Sequence, residues 1–173
     1  MLKGQDIVVL AAIMDGRRQD ESYAELASRT CLSVSEAHAA IKRLREASLV
    51  GEGRRIVKHN VLEFLVHGLR YAFPFRQSGG MAKGMPTSYA APVAEGMFAV
   101  AGICPVWRSQ SGDTYGQAFD PLYTTVPNAA AKDRELYDHL AVIDMLRGGR
   151  LRERRFAEEK LREILQVHTE HRS

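Results

Sequence analysis

Several groups of residues in this sequence have side chains and spacings that could do chemistry. His59, Glu63 and His67 recur every four residues, which on a helix lines two imidazoles and a carboxylate along one face. That donor set suits a transition metal. No fourth ligand accompanies it, and Glu63 and His67 can instead pair with each other across one turn. Gly79-Gly80 followed by Lys83-Gly84 invites a phosphate loop, but no Gly-Lys-Ser/Thr opens a helix there, so the spacing excludes nucleotide binding. Ser88, His67 and Asp113 form no recognisable nucleophile–base pattern. Cys31 and Cys104 fit neither a metal spacing nor a disulfide framework, which points to a reducing, cytoplasmic setting. Without a catalytic constellation, a metal cluster or a cofactor loop, the expectation is a protein that is not an enzyme and carries no cofactor.

The remaining group lies in Ser33 to Val50, SVSEAHAAIKRLREASLV. Ser33 and Glu36 make a capping box, in which the hydroxyl accepts from the third helical amide and the carboxylate reaches back to the cap amide. Val34, Ala37, Ile41 and Leu44 then recur at helical spacing and predict one buried stripe. Ser35, Glu36, Ala39, Lys42 and Arg43 fall on the opposite side, with His38 and Arg45 flanking it. Short groups near the helix start and cations further along are what a helix needs to meet base edges and phosphates. On this reading Arg43 bonds guanine and Ala39 touches a thymine methyl.

The flanks predict the elements that would hold such a helix. Ser22 with Glu25 is a second capping box before Tyr23-Ala24-Glu25-Leu26-Ala27, and Thr30-Cys31-Leu32-Ser33 reads as a tight turn. After Leu49-Val50, the run Gly51 to Val57 reads as strand, glycine turn, strand, with Arg54 and Arg55 as a basic wing. The pattern YAELASRTCLSVSEAHAAIKRLREASLV resembles the winged helix-turn-helix of bacterial MarR-type transcriptional regulators, over about residues 5–60. Two positions depart from that pattern. Cys31 stands where glycine is common, and Ala-Ser-Leu-Val ends the helix where Ala-Gly-Leu-Val is usual. The resemblance implies double-stranded DNA as partner, with Ser33, Ser35, Glu36, His38, Ala39, Lys42, Arg43, Arg54 and Arg55 at the interface. It also implies a homodimer reading a near-palindromic operator.

Charge is distributed in a way that fits a localised phosphate-facing surface. The net charge is only +3, but residues 1–60 hold ten Lys/Arg against eight Asp/Glu, and residues 147–173 hold eight against five. The intervening 61–146 is mildly acidic, with six against eight. No apolar run approaches the roughly 18 residues of a membrane span, so no membrane partner is expected.

Along the chain, Gly4 to Met14 reads as a helix buried on two sides, and His59 to Phe73 as a linking helix capped by Asn60. Arg76 to Gly96, rich in glycine and proline, reads as an irregular ordered arm. Val106-Trp107-Arg108 and Thr114 to Phe119 flank Ser111-Gly112-Asp113 as a β-hairpin, with Trp107 and Tyr115 as a cross-strand pair. Pro121 to Pro127 reads as an extended connector. Asp133 to Arg147 and Leu151 to Val167, broken by Gly148-Gly149, read as a helical hairpin. The fold class is therefore mainly α with a small β component, in three parts. Residues 1–73 are the winged helix-turn-helix with its linking helix, 74–128 the irregular arm and hairpin, and 129–173 a helical hairpin for dimerisation or partner docking. The alternative to a DNA-binding regulator is a protein–protein adaptor, antitoxin-like or part of a defence system, with the winged helix as scaffold and a protein partner on residues 61–173. The sequence names no effector for residues 74–128.

Overall fold

The computed structural model describes residues 1–168, so the last five residues of the third expected part lie outside the described residues. The fold is mainly α with a small β component. Three helices come first: α1 (Gly4–Ile13), α2 (Tyr23–Thr30) and α3 (Val34–Glu46). Both serine capping boxes form. Ser22 accepts from the Glu25 amide, Ser33 from the Glu36 amide, and each carboxylate takes its serine's own N–H. Cys31 occupies the left-handed region at φ 55°, and Ser48 does so at φ 59°, closing α2 and α3 as glycines usually do. Ala37, Ala40, Ile41 and Leu44 are buried, whereas Val34, expected inward, is 46% exposed. As the first residue of its helix, Val34 sits at the end of the stripe, where no neighbouring element covers it.

The expected strand–turn–strand after α3 contracts to a single antiparallel bridge, Val50 with Ile56, around a turn at Glu52–Arg54. The next helix is not continuous either. It runs as α4 (Lys58–Glu63), a π turn (Phe64–Gly68) and α5 (Leu69–Ala72). Asn60 lies within its first turn and donates to the Ser48 carbonyl instead of capping it. The π turn adds a residue to the helical repeat, which takes His67 out of the four-residue register with His59 and Glu63. Among the described residues, no three His, Cys, Asp or Glu side chains are grouped to hold a metal ion.

The first half of the segment read as an irregular arm is a ten-residue strand, while the remainder to Gly96 holds two short turns, Ser88–Ala90 and Pro92–Ala94. β1 (Gln77–Pro86) pairs antiparallel with both β2 (Pro105–Arg108) and β3 (Thr114–Phe119). A bulge lies between Gln77 and Met81. β2 and β3 are parallel to each other through Pro105–Gln117 and Val106–Ala118, not the two arms of the expected hairpin, so the small sheet closes on itself. A short connection between parallel strands is normally impossible. Here residues 109–113 cross directly over β1, and they do so at two glycines. A Cβ on Gly112 would lie 2.2 Å from the Gly84 carbonyl carbon, and one on Gly84 would lie 1.8 Å from the Trp107 oxygen. Gly84, one of the glycines that make 76–96 read as a loop, is what lets this strand be approached so closely, whereas a Cβ on Gly79, Gly80 or Gly96 would meet nothing.

Beyond the sheet, α6 (Val126–Lys132) takes the last two residues of the expected connector and the stretch that follows it, with Pro127 in its first turn where a missing N–H costs nothing. α7 (Arg134–Gly148) is capped by Asp133, the residue at which the sequence has the helix begin, and is buried on nearly every side. α8 (Leu151–Leu165) packs back on it through Phe156, Ala157, Leu161 and Leu165, while Leu151, expected inward, is exposed. The hairpin therefore packs within its own chain. One contiguous core joins α1, α3, the 58–72 helix, Trp107, Phe119, α7 and α8, so the three parts read from the sequence share a single interior.

Two buried polar contacts fasten α7. His139 Nδ1–H donates to the Ala11 carbonyl of α1 at 2.8 Å. Asp144, fully buried, accepts from Trp107 Nε1 at 2.7 Å, from the Thr87 hydroxyl at 2.8 Å and from Arg147 Nη1 at 2.8 Å. Burial pushes the Asp144 carboxyl up, against the pull of Arg147 and the other two donors. Trp107 packs on Tyr137 of α7 at 5.6 Å between centroids, so its aromatic partner is not the exposed Tyr115. Among the described residues, no helix is long and apolar enough to cross a membrane.

Candidate nucleic-acid interface

The outward side of α3 carries fewer free groups than its sequence predicts. Ser33 is exposed at the helix start, its hydroxyl 3.2 Å from the Glu36 amide and 3.2 Å from the Ser35 hydroxyl. The Glu36 carboxyl is held below its ordinary range by the Ser33 backbone N–H, then by the Ser33 hydroxyl, with the Tyr123 hydroxyl adding to the effect. Tyr123 thus stands at the rim of the face, brought there by the turn between β3 and α6. Ser35, His38 and Lys42 are exposed, Ala39 is half-buried, and Arg45 continues the exposed row beyond Lys42.

Arg43 does not face outward. Its guanidinium reaches α1 and grips Asp6 with both arms, Nε at 2.8 Å and Nη2 at 2.7 Å. Asp6 is completely buried and also accepts the Lys3 N–H at 2.7 Å, so one carboxylate caps α1 and anchors α3. This correction has a clear cause. A bidentate pair to a desolvated carboxylate is far stronger than the same arginine's contact with water. Asp6 itself was the overlooked signal, because a lone acid inside the apolar run Gly4 to Met14 needs a cation from another element.

Arg54, expected on the wing, is likewise engaged. Its Nη2 donates to the Glu21 and Gln19 carbonyls, and its guanidinium carbon lies 5.0 Å from the centre of the Tyr23 ring. His38 stacks on that same ring at 3.5 Å and 19°. The turn at Glu52–Arg54 is thereby strapped to the start of α2. Arg55 next to it remains exposed. The structure brings Ser33, Ser35, His38, Lys42 and Arg45 together on one open face and removes Arg43 and Arg54 from it.

The scaffold behind this face is rigid in design. Arg29 of α2 holds Glu21 at 2.5 Å, Asp133 at 2.9 Å and the Ala12 carbonyl at 2.8 Å, joining α1, α2 and the cap of α7. Burial pushes the Asp133 carboxyl up, yet the Leu136 amide and the Arg29 guanidinium outweigh it and leave Asp133 below its ordinary value. Compared with known proteins, the chain matches no family model, no curated sequence and no solved structure.

Proposed function

We propose that the chain is a sequence-specific double-stranded DNA-binding protein, a transcriptional regulator of winged helix-turn-helix type, that docks α3 in the major groove. The observation that carries this reading is the open face of α3, polar at its start and cationic toward its end, mounted on two capping boxes and a left-handed turn. Ser35, His38 and Ala39 would lie nearest the base edges, with Lys42 and Arg45 at the phosphates. The wing would be minimal, with Arg55 as its free cation. Arg43 and Arg54 would act by holding α3 and the turn in place, without touching DNA. A homodimer on a near-palindromic site is the expected assembly, since a two-fold protein axis matches two half-sites about one helical turn apart.

Selection of bound fragments from random duplex DNA tests the reading directly. A near-palindromic motif is expected, with affinity falling steeply as salt rises. Lys42→Ala and Arg45→Ala should each weaken binding to all sequences and lower the salt slope by about one. Duplex binding that does not occur, or that ignores both substitutions, removes the proposal. The adaptor reading has its own support in Met97, Val100 and Ile103, which are 55%, 54% and 58% exposed on an irregular apolar segment. Docking through that segment would be nearly insensitive to salt, which separates the two.

A further inference from the structure

A second site lies away from α3, where the C-terminal end of β1, the short turns after it and α7 meet. It is a cavity of about 590 Å³, a size that takes a small organic molecule. Most of its wall is apolar, with Met85, Pro86, Pro92 and Phe98 prominent. The charged groups that line it are Glu95 and Asp113, both carboxylates, and no lysine, arginine or histidine lines it. Tyr89 and Tyr137 add aromatic surface. The Tyr137 hydroxyl is already committed, donating to the Pro86 carbonyl at 2.5 Å, and burial pushes its pKa up to about 12. It therefore offers the ligand a ring and not an anion.

We infer that this cavity binds an organic cation with an apolar body, a protonated amine or a quaternary ammonium. The carboxylates at the rim compensate the charge, and the aromatic rings of Tyr89, Tyr137 and Phe98 that line the cavity supply the surface on which a cation is attracted by a ring quadrupole. Anions are excluded by the same carboxylates. They would find better company in the neighbouring depression beyond Tyr89 and Phe98, which is walled by Arg150 and Arg152 together with Glu153. The rim gives a further reason for an apolar body. Gly96 and Gly102, at φ 76° and 91°, bracket the segment that leaves Met97 and Val100 in water, and Phe98 and Val100 reach the cavity. A ligand there would shield apolar surface that the free protein exposes. The inference is independent of the nucleic-acid reading.

Calorimetric titration and saturation-transfer NMR of the full chain with phenyltrimethylammonium, benzoate and benzyl alcohol test it. Phenyltrimethylammonium should bind with a Kd of about 0.1–1 mM, in keeping with its size. Benzoate and benzyl alcohol should bind at least about fivefold more weakly. Glu95→Gln combined with Asp113→Asn, both exposed and outside the core, should weaken the ammonium by about five- to tenfold, with the helical circular dichroism unchanged. Glu159→Gln, remote on α8, should leave it unaffected. The inference is overturned if the ammonium does not bind, if benzoate binds equally well, if the double variant binds like the parent, or if Glu159→Gln weakens binding as much.

Discussion

The helices around residues 22–48 and the sheet spanning 77–119 are built on opposite principles. In the first, each instruction lies within a few residues of what it controls: Ser22 meets Glu25, Ser33 meets Glu36, and Cys31 turns the chain that α3 continues. In the second, every instruction is distant. Gly84 is needed because the Trp107–Arg108 backbone of β2 lies against it, Gly112 because it crosses Gly84, and Trp107 and Thr87 are placed by an aspartate on α7. The contrast teaches that a short helical unit can be specified locally and still depend for its stability on a region specified globally. Arg43–Asp6 and Arg29–Asp133 tie the helical unit to α1 and to the start of α7, the helix whose Asp144 holds Trp107 and Thr87 of the sheet region.

The strongest challenge to this contrast is Asp144→Ala, which leaves Arg147 buried with only the Phe73 and Asp120 carbonyls, and the Trp107 and Thr87 donors without an acceptor. It should cost about 3–5 kcal/mol in urea unfolding. If the regions depend on one another, Trp107 fluorescence and helical circular dichroism will fall together. A helical signal that outlasts the fluorescence would show two independent units. Next comes Gly84→Ala, whose methyl has nowhere to go but the Trp107 carbonyl, with an expected loss of about 3 kcal/mol. A neutral outcome would mean the strand crossing is not as tight as described.

Smaller effects are expected on the helical side. Asp133→Ala should cost about 1 kcal/mol at neutral pH, because the cap and the Arg29 contact go together. The folded carboxyl sits below its ordinary 3.8, so this contribution is complete above that pH and disappears as the pH drops through the lower folded value. The gap between parent and variant should therefore close in acid, and a gap that widens there would contradict the assignment. The mildest is Ser48→Gly, which relieves a left-handed φ of 59° at an exposed position and should add about 0.5–1 kcal/mol. Thermal unfolding would detect it as a rise of a few degrees.

Legibility of the sequence follows the same division. Caps, helix ends and stripes such as Ile41 and Leu44 could be read because their partners lie one turn away. The helix start at Asp133 and the Gly148-Gly149 break were legible for that reason too. β1 was not, since its partners lie tens of residues downstream and Gly84 answers to one of them. The parallel arrangement of β2 and β3 was equally hidden, because a Ser-Gly-Asp turn between aromatic runs has the same composition in a hairpin. On the candidate interface, exposure was correctly read for Ser33, Ser35, His38 and Lys42. Arg43 and Arg54 were misplaced because arginine is long enough to leave its helical face, and only the positions of Asp6 and Tyr23 reveal where it goes. The carboxylate-rimmed cavity is lined mostly by residues between Met85 and Val100, but it closes only with Asp113, Ala131 and Tyr137 from distant segments, which leaves no local trace.

The enclosure of α7 has a practical consequence. Cutting the gene after the codon for Phe73, an attractive boundary when only the letters are in view, would strip α1 of the helix that shelters it and bare Leu65 and Leu69. Such a fragment should come out of cells insoluble, and a protease should find no seam from which to release it. Whatever α3 does, it does as one facet of an indivisible body.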